Sequence, residues 1–152
     1  MRIARLLASG FGVGFFPVAP GTAGSLVALC VGAVALAIWP AIWTLAVLAL
    51  ISAVVGWWAI GASGEAANDP GWVVIDEFAG QFLAMAPLAR PSPAGLLLAF
   101  VLFRLFDIWK PGPIGWADRR KTAAGVMGDD VIAGGFAAIL VWCATVVWPA
   151  WF

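Results

Sequence analysis

The chain has 152 residues, of which 64% are hydrophobic and 11% charged, and its mean hydropathy is +1.03. Soluble domains are only about half apolar, so this composition excludes an ordinary soluble protein and predicts a single all-α membrane bundle over residues 1–152. The net charge is zero, and we therefore expect no nucleic-acid partner. Cys30 and Cys143 lie in apolar runs, where a free cysteine behaves as a small hydrophobic residue.

Five apolar stretches, separated by turns rich in proline and glycine, predict about five helices. In chain order they run roughly over 22–39, 41–61, 72–88, 94–109 and 129–148. The second and fifth reach the length of about 20 residues that crosses a hydrocarbon core, whereas the third and fourth are near the short limit. Because Pro87 shortens the third stretch, two arrangements are open for it: a helix that spans the membrane and one that re-enters it.

Basic residues in the short loops predict the orientation of the bundle. Arg2 and Arg5 precede the first helix, a second basic group lies at 110–121, and Arg90 lies in a loop on the opposite side. Because basic loops stay on the cytoplasmic side, we expect a cytoplasmic N-terminus and, with five crossings, an external C-terminus. Glycines and prolines interrupt the segment after Arg5, so we expect no cleavable signal peptide.

Polar motifs gather at the predicted cytoplasmic end of the bundle. They are the PGTAGS segment that opens the first helix, a carboxylate pair early in the third, a charged stripe closing the fourth and a GDD segment opening the fifth. Their charged residues are Asp76, Glu77, Arg104, Asp107, Lys110, Asp129 and Asp130. Charged groups are costly in a membrane unless they face the bundle interior and have partners, so we expect these side chains to converge.

Five carboxylates beside two cations would repel one another, and a divalent metal removes that repulsion. With oxygen ligands alone, Mg²⁺ is the natural choice. We predict that the metal ligands are Asp76, Glu77, Asp129 and Asp130, with Asp107 and Asp69 as further candidates. Arg104 and Lys110 are predicted to hold a phosphate, and Thr22 and Ser25 could add hydroxyl and backbone donors at a helix N-terminus.

Each motif also has a purely structural interpretation. Thr22 and Ser25 could only cap a helix, and Arg104 with Asp107 could be an intrahelical ion pair. Asp129 and Asp130 would favour a helix dipole whatever their function. Arg119, Arg120 and Lys121 could mark topology by contacting anionic lipid headgroups, and Asp69 is a normal turn residue before Pro70. The convergence of these motifs at one level argues for a shared site.

Several phosphoryl-transfer chemistries are excluded by residues that the chain lacks. It contains no histidine, which excludes phosphohistidine mechanisms. Neither cysteine begins a phosphate-binding loop that ends in arginine, and no P-loop pattern is present. A mechanism based on carboxylates and a metal remains.

Three blocks of the sequence are similar to the signature blocks of the phosphatidylglycerophosphatase A family of bacterial inner-membrane lipid phosphatases. They are GFGVGFFPVAPGTAGSL, DPGWVVIDEFAG and FRLFDIWKPGPIGWADRRKTAAGVMGDDVIAG, in the family's order. The resemblance implies Mg²⁺-dependent removal of the terminal phosphate of phosphatidylglycerophosphate, giving phosphatidylglycerol, at the cytoplasmic face. The motif positions that carry over are Pro20, Gly21, Thr22, Gly24, Ser25, Asp69, Asp76, Glu77, Arg104, Asp107, Lys110, Pro111, Pro113, Asp118, Arg119, Asp129 and Asp130.

The roles of these residues are a mechanistic hypothesis. The predicted catalytic set is Asp76, Glu77, Arg104, Asp107, Lys110, Asp129 and Asp130; the predicted phosphate-binding set is Thr22, Ser25, Arg104, Lys110 and Arg119. Asp107 completes the metal shell, acts as a base or acts as a nucleophile. An aspartyl phosphate and direct attack by water both remain open, as does oligomerisation.

Two other activities are open to such a sequence. A Mg²⁺-dependent phospholipid head-group transferase uses similar carboxylates, but its pattern on a single helix is not found here. An ion or proton transporter also needs intramembrane carboxylates; it would place them near the bilayer midplane, whereas these lie at one end.

Overall fold

The structure, a computed structural model, describes residues 2–64 and 70–152, and over those residues it is all-helical without a strand. This confirms the predicted all-α class. In this described part of the chain the seven α-helices are α1 Arg2–Ala8, α2 Pro20–Ile38, α3 Thr44–Ser63, α4 Ile75–Met85, α5 Pro93–Trp109, α6 Pro113–Asp118 and α7 Ala123–Val147, with short 3₁₀ turns at Val13–Phe15 and Pro149–Trp151.

The predicted count of about five apolar helices is imprecise. Among the described residues, α2, α3 and α7 are the helices long and apolar enough to cross a membrane. Helix α5 has 17 residues and α4 only 11. At 1.5 Å per residue α4 is about 16 Å long, roughly half of a hydrocarbon core. Helices α1 and α6 were not predicted, because six or seven residues are too few to show the periodic spacing of apolar residues that marks a helix.

Helix α4 is the centre of the bundle rather than a lipid-facing span. Nine of its residues are buried, and it packs against α2, α3, α5 and α7. Glycines permit the closest approach: a Cβ added to Gly134 of α7 would overlap the carbonyl oxygen of Gly80 and lie 2.9 Å from its Cα. The backbones of α4 and α7 therefore touch.

Helix α7 begins six residues earlier than the sequence predicted. The side-chain oxygen of Thr122 accepts a hydrogen bond from the backbone N–H of Gly125 at 3.1 Å and caps the helix. The prediction that the GDD segment opens this helix is therefore wrong. Asp129 and Asp130 lie almost two turns inside α7, both buried, so they do not serve as an N-terminal cap.

The glycine contact between α4 and α7 predicts a large difference between two adjacent substitutions. Gly134→Ala should destabilise the protein by about 1–3 kcal/mol, the usual cost of overpacking, since backbone atoms cannot move aside. Gly135→Ala is the matched control, because no described residue lies within 4 Å of an added Cβ there. Thermal unfolding of both variants in detergent checks this, and equal melting temperatures would contradict it.

Candidate active site

Four helix ends meet at one end of the bundle and enclose a polar cavity of about 270 Å³. They are the N-terminal ends of α2, α4 and α7 and the C-terminal end of α5. The cavity is lined by Pro20, Gly21, Pro70, Gly71, Val73, Asp76, Glu77, Arg104, Asp107, Lys110, Val126, Asp129 and Asp130. The convergence that the sequence predicted is therefore present for all seven residues of the predicted catalytic set.

Three of the carboxylates form a compact group that fits a metal ion. Asp76, Glu77 and Asp130 each offer one oxygen, and these oxygens all lie within 4.8 Å of one another. Asp76 and Asp130 are buried, and Glu77 Oε2 is a buried oxygen without a hydrogen-bond partner among the described residues. Ionised carboxylates this close repel one another unless a proton or a cation compensates their charge, and an oxygen-only donor set suits Mg²⁺.

Asp129, the fourth predicted metal ligand, lies in the same cavity but has other partners. Its Oδ2 accepts a hydrogen bond from Lys110 Nζ at 2.8 Å, and its Oδ1 accepts one from the backbone N–H of Asp130 at 3.0 Å. It lies outside the three-carboxylate group. Asp129 lies beside that group, and its role as a metal ligand stays a prediction.

Arg104 connects α5 with α2 at the cavity wall. Its Nη1 donates to Asp107, three residues along α5, and to Ser25 Oγ at 3.4 Å. The Ser25 hydroxyl donates in turn to the backbone carbonyl of Gly21 at 2.9 Å. The intrahelical Arg104–Asp107 pair therefore exists, and both of its members also line the cavity.

Lys110 does not continue the charged stripe of α5. It is the residue at which the helix ends, with a left-handed φ of 49°, and this turn directs its ammonium to Asp118 and Asp129. Partial burial lowers the pKa of Lys110, but its hydrogen bonds to the two carboxylates outweigh burial and raise the net pKa above the ordinary value. The hydrogen bond from Lys110 likewise holds the pKa of Asp118 below its usual range. The cation is therefore fixed in its charged form.

The remaining predicted site residues lie farther from the cavity. Thr22 lies in the first turn of α2 but is not among the lining residues, and Arg119 is exposed just after α6. Ser25 is buried and reaches the cavity through Arg104. Asp69 lies outside the described residues. Phosphate binding by Thr22, Ser25 and Arg119 stays a prediction.

The structure adds three residues whose roles the sequence reasoning did not assign. Gly21 lies against the Glu77 carboxylate, Asp118 holds Lys110, and Gln81 is fully buried one turn after Glu77. Of the three, only Gln81 could have been assigned from the sequence, because it lies four residues after Glu77 and residues four apart on a helix are neighbours. Asp118 depends on α6, which was not predicted.

Gly21 predicts a variant that damages the site and not the fold. A Cβ at this position would overlap Glu77 Oε1 and lie 3.5 Å from Arg104 Nη1. Because the end of a side chain can move, we expect Gly21→Ala to leave the melting temperature nearly unchanged while displacing Glu77 and reducing turnover about tenfold or more, as small misplacements at active sites do. Gly71→Ala, whose Cβ meets nothing closer than 3.8 Å among the residues that the structure describes, is the cavity-lining control and should keep its rate.

Comparison with known proteins decides the family. The model of the phosphatidylglycerophosphatase A family matches residues 6–145. The chain belongs to the phosphatidylglycerophosphatase A family. This confirms the resemblance found in the three motif blocks, and with it the expectation of an enzyme that hydrolyses phosphoric monoesters.

Three relatives cover most of the chain. A phosphatidylglycerophosphatase A of Escherichia coli strain K12 is 34% identical over 146 residues, which are 95% of this chain and 85% of the relative. One of Haemophilus influenzae is 37% identical over 139 residues, 90% of this chain and 85% of the relative. A Bacteroides thetaiotaomicron protein, named as a candidate phosphatidylinositol-3-phosphatase, is 38% identical over 144 residues, 90% and 89% of the two chains. No solved structure matches the chain.

Membership of the phosphatidylglycerophosphatase A family gives the cavity its chemical context. A phosphomonoesterase needs groups that neutralise phosphate oxygens and a group that delivers the attacking oxygen, and the cavity holds both cations and carboxylates. The acids lie at one end of the bundle, which argues against the transporter alternative. The transferase alternative is not the activity for which the family is named.

Proposed function

We propose that the protein removes the terminal phosphate of phosphatidylglycerophosphate, giving phosphatidylglycerol and inorganic phosphate. The observation that carries this proposal is the cavity in which three clustered carboxylates lie beside Arg104 and Lys110. The family model and the printed names of the E. coli and H. influenzae relatives support this substrate. A lipid substrate also suits a bundle whose outer surface is apolar.

The proposed cofactor is Mg²⁺, held by Asp76, Glu77 and Asp130, with Asp129 and Asp107 adjacent. When bound, such an ion neutralises phosphate oxygens and makes water a better nucleophile. The support is the donor set: oxygen ligands only, clustered, with one buried carboxylate oxygen of Glu77 that has no other partner among the described residues.

The cations of the cavity are assigned to the phosphate. Arg104 and Lys110 each present a positive charge that stabilises the charge on the phosphate oxygens during transfer. Ser25 and Asp107 hold the guanidinium of Arg104, and Asp118 and Asp129 hold the ammonium of Lys110. Because these partners restrict both side chains before the substrate binds, less ordering is required during the reaction.

Asp107 is the proposed base or nucleophile, since it lines the cavity and its partner is a cation. As a base it takes a proton from water while the water oxygen bonds to phosphorus and the bond from phosphorus to the glycerol oxygen breaks. The glycerol oxygen then takes up the proton that Asp107 received from water. As a nucleophile, an oxygen of Asp107 bonds to phosphorus while the bond from phosphorus to the glycerol oxygen breaks and that oxygen takes a proton from solvent. Water then hydrolyses the aspartyl phosphate in a second step, which releases inorganic phosphate and restores Asp107.

The proposed location is the bacterial cytoplasmic membrane, with the cavity facing the cytoplasm. Exposed basic residues lie near the cavity end of the bundle, at Arg2, Arg5 and 119–121, as the distribution of basic loops predicts. Exposed tryptophans at both ends, among them Trp39, Trp148 and Trp116, fit two membrane interfaces.

Phosphate release from defined lipids tests the function. Detergent-purified protein would be assayed with phosphatidylglycerophosphate, phosphatidylinositol 3-phosphate, phosphatidic acid and lysophosphatidic acid, each with Mg²⁺ and with a chelator. We expect release from the first lipid and only with Mg²⁺. A preference for phosphatidylinositol 3-phosphate, the specificity suggested by the Bacteroides relative's name, would replace the proposed substrate. Release that survives chelation would refute the metal.

A further inference from the structure

Gln81 is a buried polar residue to which the proposed reaction gives no role. It lies in the middle of α4 with none of its surface exposed, and neither Nε2 nor Oε1 has a hydrogen-bond partner among the described residues. Leaving a buried polar group unpaired costs about 1–3 kcal/mol. An amide kept at such a position, where an apolar side chain would fit, calls for a functional explanation.

The contacts of α4 show which way Gln81 faces. Glu77 lies against Gly21 near the start of α2, and Met85 lies against Gly32 farther along the same helix. Gln81 is midway between Glu77 and Met85, one turn from each, and residues four apart lie on the same helix face. Gln81 therefore faces α2, directly below the carboxylate of Glu77.

Glu77 offers the partner that Gln81 lacks. Its Oε1 lies against Gly21, whereas Oε2 is buried and has no hydrogen-bond partner within the described ranges 2–64 and 70–152. The Cβ atoms of residues four apart are about 5–6 Å from each other, a gap that the two side chains can bridge. Arg104 Nε is also buried and unpartnered in the described part of the chain, and Arg104 approaches the same point of α2 as Glu77. Two donors and two acceptors are thus left in one region.

We propose that Gln81 is a positioning residue for the metal ligand Glu77. Its Nε2 donates a hydrogen bond to one buried water that donates to Glu77 Oε2, and its Oε1 accepts through a second buried water from Arg104 Nε. The first water bridge fixes the rotation of the Glu77 carboxylate, so that one oxygen stays aimed at Asp76 and Asp130. Carboxylate ligands of metals are commonly held by such neighbours. The proposal rests on the proposed function of Glu77 as a metal ligand.

The test compares metal affinity with stability in Gln81→Met, which keeps the length of the side chain and removes its amide. We expect Mn²⁺ and Mg²⁺ to bind about 10–100-fold more weakly, the usual effect of losing a neighbour of a metal ligand. The melting temperature of the metal-free protein should change little, since removal of the amide ends the cost of burying it but leaves Glu77 Oε2 and Arg104 Nε without that partner. Spin resonance of Mn²⁺ and titration calorimetry of detergent-purified protein measure the binding.

Met85→Leu is the matched control, because it alters a buried side chain on the same face of α4 one turn beyond Gln81, and its metal affinity should equal that of the wild type. In the phosphatase assay Gln81→Met should raise the Mg²⁺ concentration needed for half-maximal rate and leave the KM for lipid unchanged. If Gln81→Met does not fold, Gln81→Leu is measured in its place.

Unchanged metal affinity in a folded Gln81 variant, or a wild-type protein that binds neither ion, would overturn the positioning role. The outcomes separate this inference from the proposed function. Weakened binding in a protein that releases no phosphate from phosphatidylglycerophosphate would support the role of Gln81 and refute the substrate. Normal turnover of phosphatidylglycerophosphate by a Gln81 variant with unchanged metal affinity would support the substrate and refute the role of Gln81.

Discussion

Glu77→Gln should reduce phosphate release from phosphatidylglycerophosphate by more than about 100-fold. Loss of a residue that only supports a metal ligand lowers metal affinity or activity by about 10–100-fold, and Glu77 is itself a proposed ligand. The substitution keeps the size of the side chain and removes one charge from a group of three carboxylates within 4.8 Å. It also relieves repulsion among them. The melting temperature of the metal-free protein should therefore not fall.

Asp118→Asn is the control for Glu77→Gln. Asp118 is also a carboxylate near the cavity, but its side chain is 30% exposed and its partner is Lys110. We expect a smaller loss of rate and no loss of metal affinity. Phosphate release at several Mg²⁺ concentrations, with calorimetry for the ion, measures both variants. A Glu77→Gln protein that reaches the wild-type rate at saturating Mg²⁺ would refute the assignment of Glu77.

The sequence predicted the charged residues of the cavity, because charged side chains buried in a membrane must face the bundle interior and have partners there. Asp76 and Glu77 interrupt an apolar stretch, which is costly unless partners are present. The polar motifs of the third, fourth and fifth predicted helices were all expected at helix ends on the same side. Convergence follows from topology alone, without knowledge of the packing. The family resemblance added the substrate, which charge and spacing do not specify.

The pairing inside the cavity could not be predicted, because it depends on where helices begin and end. Lys110 seemed to extend the stripe of Arg104 and Asp107, but the helix ends at Lys110 and its left-handed backbone turns it to Asp118 and Asp129. Thr122 begins α7 before the expected residue, and this places Asp129 and Asp130 inside the bundle. The end of α5 and the start of α7 therefore decide which carboxylate pairs with which cation.

The length of α4 could not be read from composition either. The apolar stretch 72–88 looks like a short span, yet the helix covers only Ile75–Met85 and is buried on almost every side. An apolar run has the same composition whether it faces lipid or other helices. The distinguishing feature is the glycine contact between Gly80 and Gly134, which belongs to two distant segments and has no local period.

The charges of the cavity form three groups. Three carboxylates lie together and could hold a metal, Lys110 is held between Asp118 and Asp129, and Arg104 is held by Ser25 and Asp107. Because each cation already has a carboxylate partner, the three clustered carboxylates have no full counter-charge of their own. That imbalance is the physical reason to expect a divalent ion there rather than a further ion pair.

Arg104→Met should lower kcat/KM by about 10²–10³-fold, the range found when one donor to a developing negative charge is removed. It should also destabilise the protein by about 1.5–3 kcal/mol, the value of a hydrogen bond to a charged group, because Asp107 loses its partner at a site where its side chain is 13% exposed. Arg104→Lys keeps the charge but not the guanidinium fork, and its rate should fall between those of Arg104→Met and the wild type.

The double variant Arg104→Met with Asp107→Asn separates the two effects of Arg104. Removing the charge of Asp107 removes the uncompensated carboxylate, so the melting temperature should recover towards the wild-type value. Activity should stay lost, because neither the cation that binds phosphate nor the carboxylate proposed as base or nucleophile is present. Thermal unfolding and phosphate release are measured on the same preparations. If activity recovered together with stability, Arg104 would act only as a structural partner of Asp107, and phosphate binding would fall to Lys110.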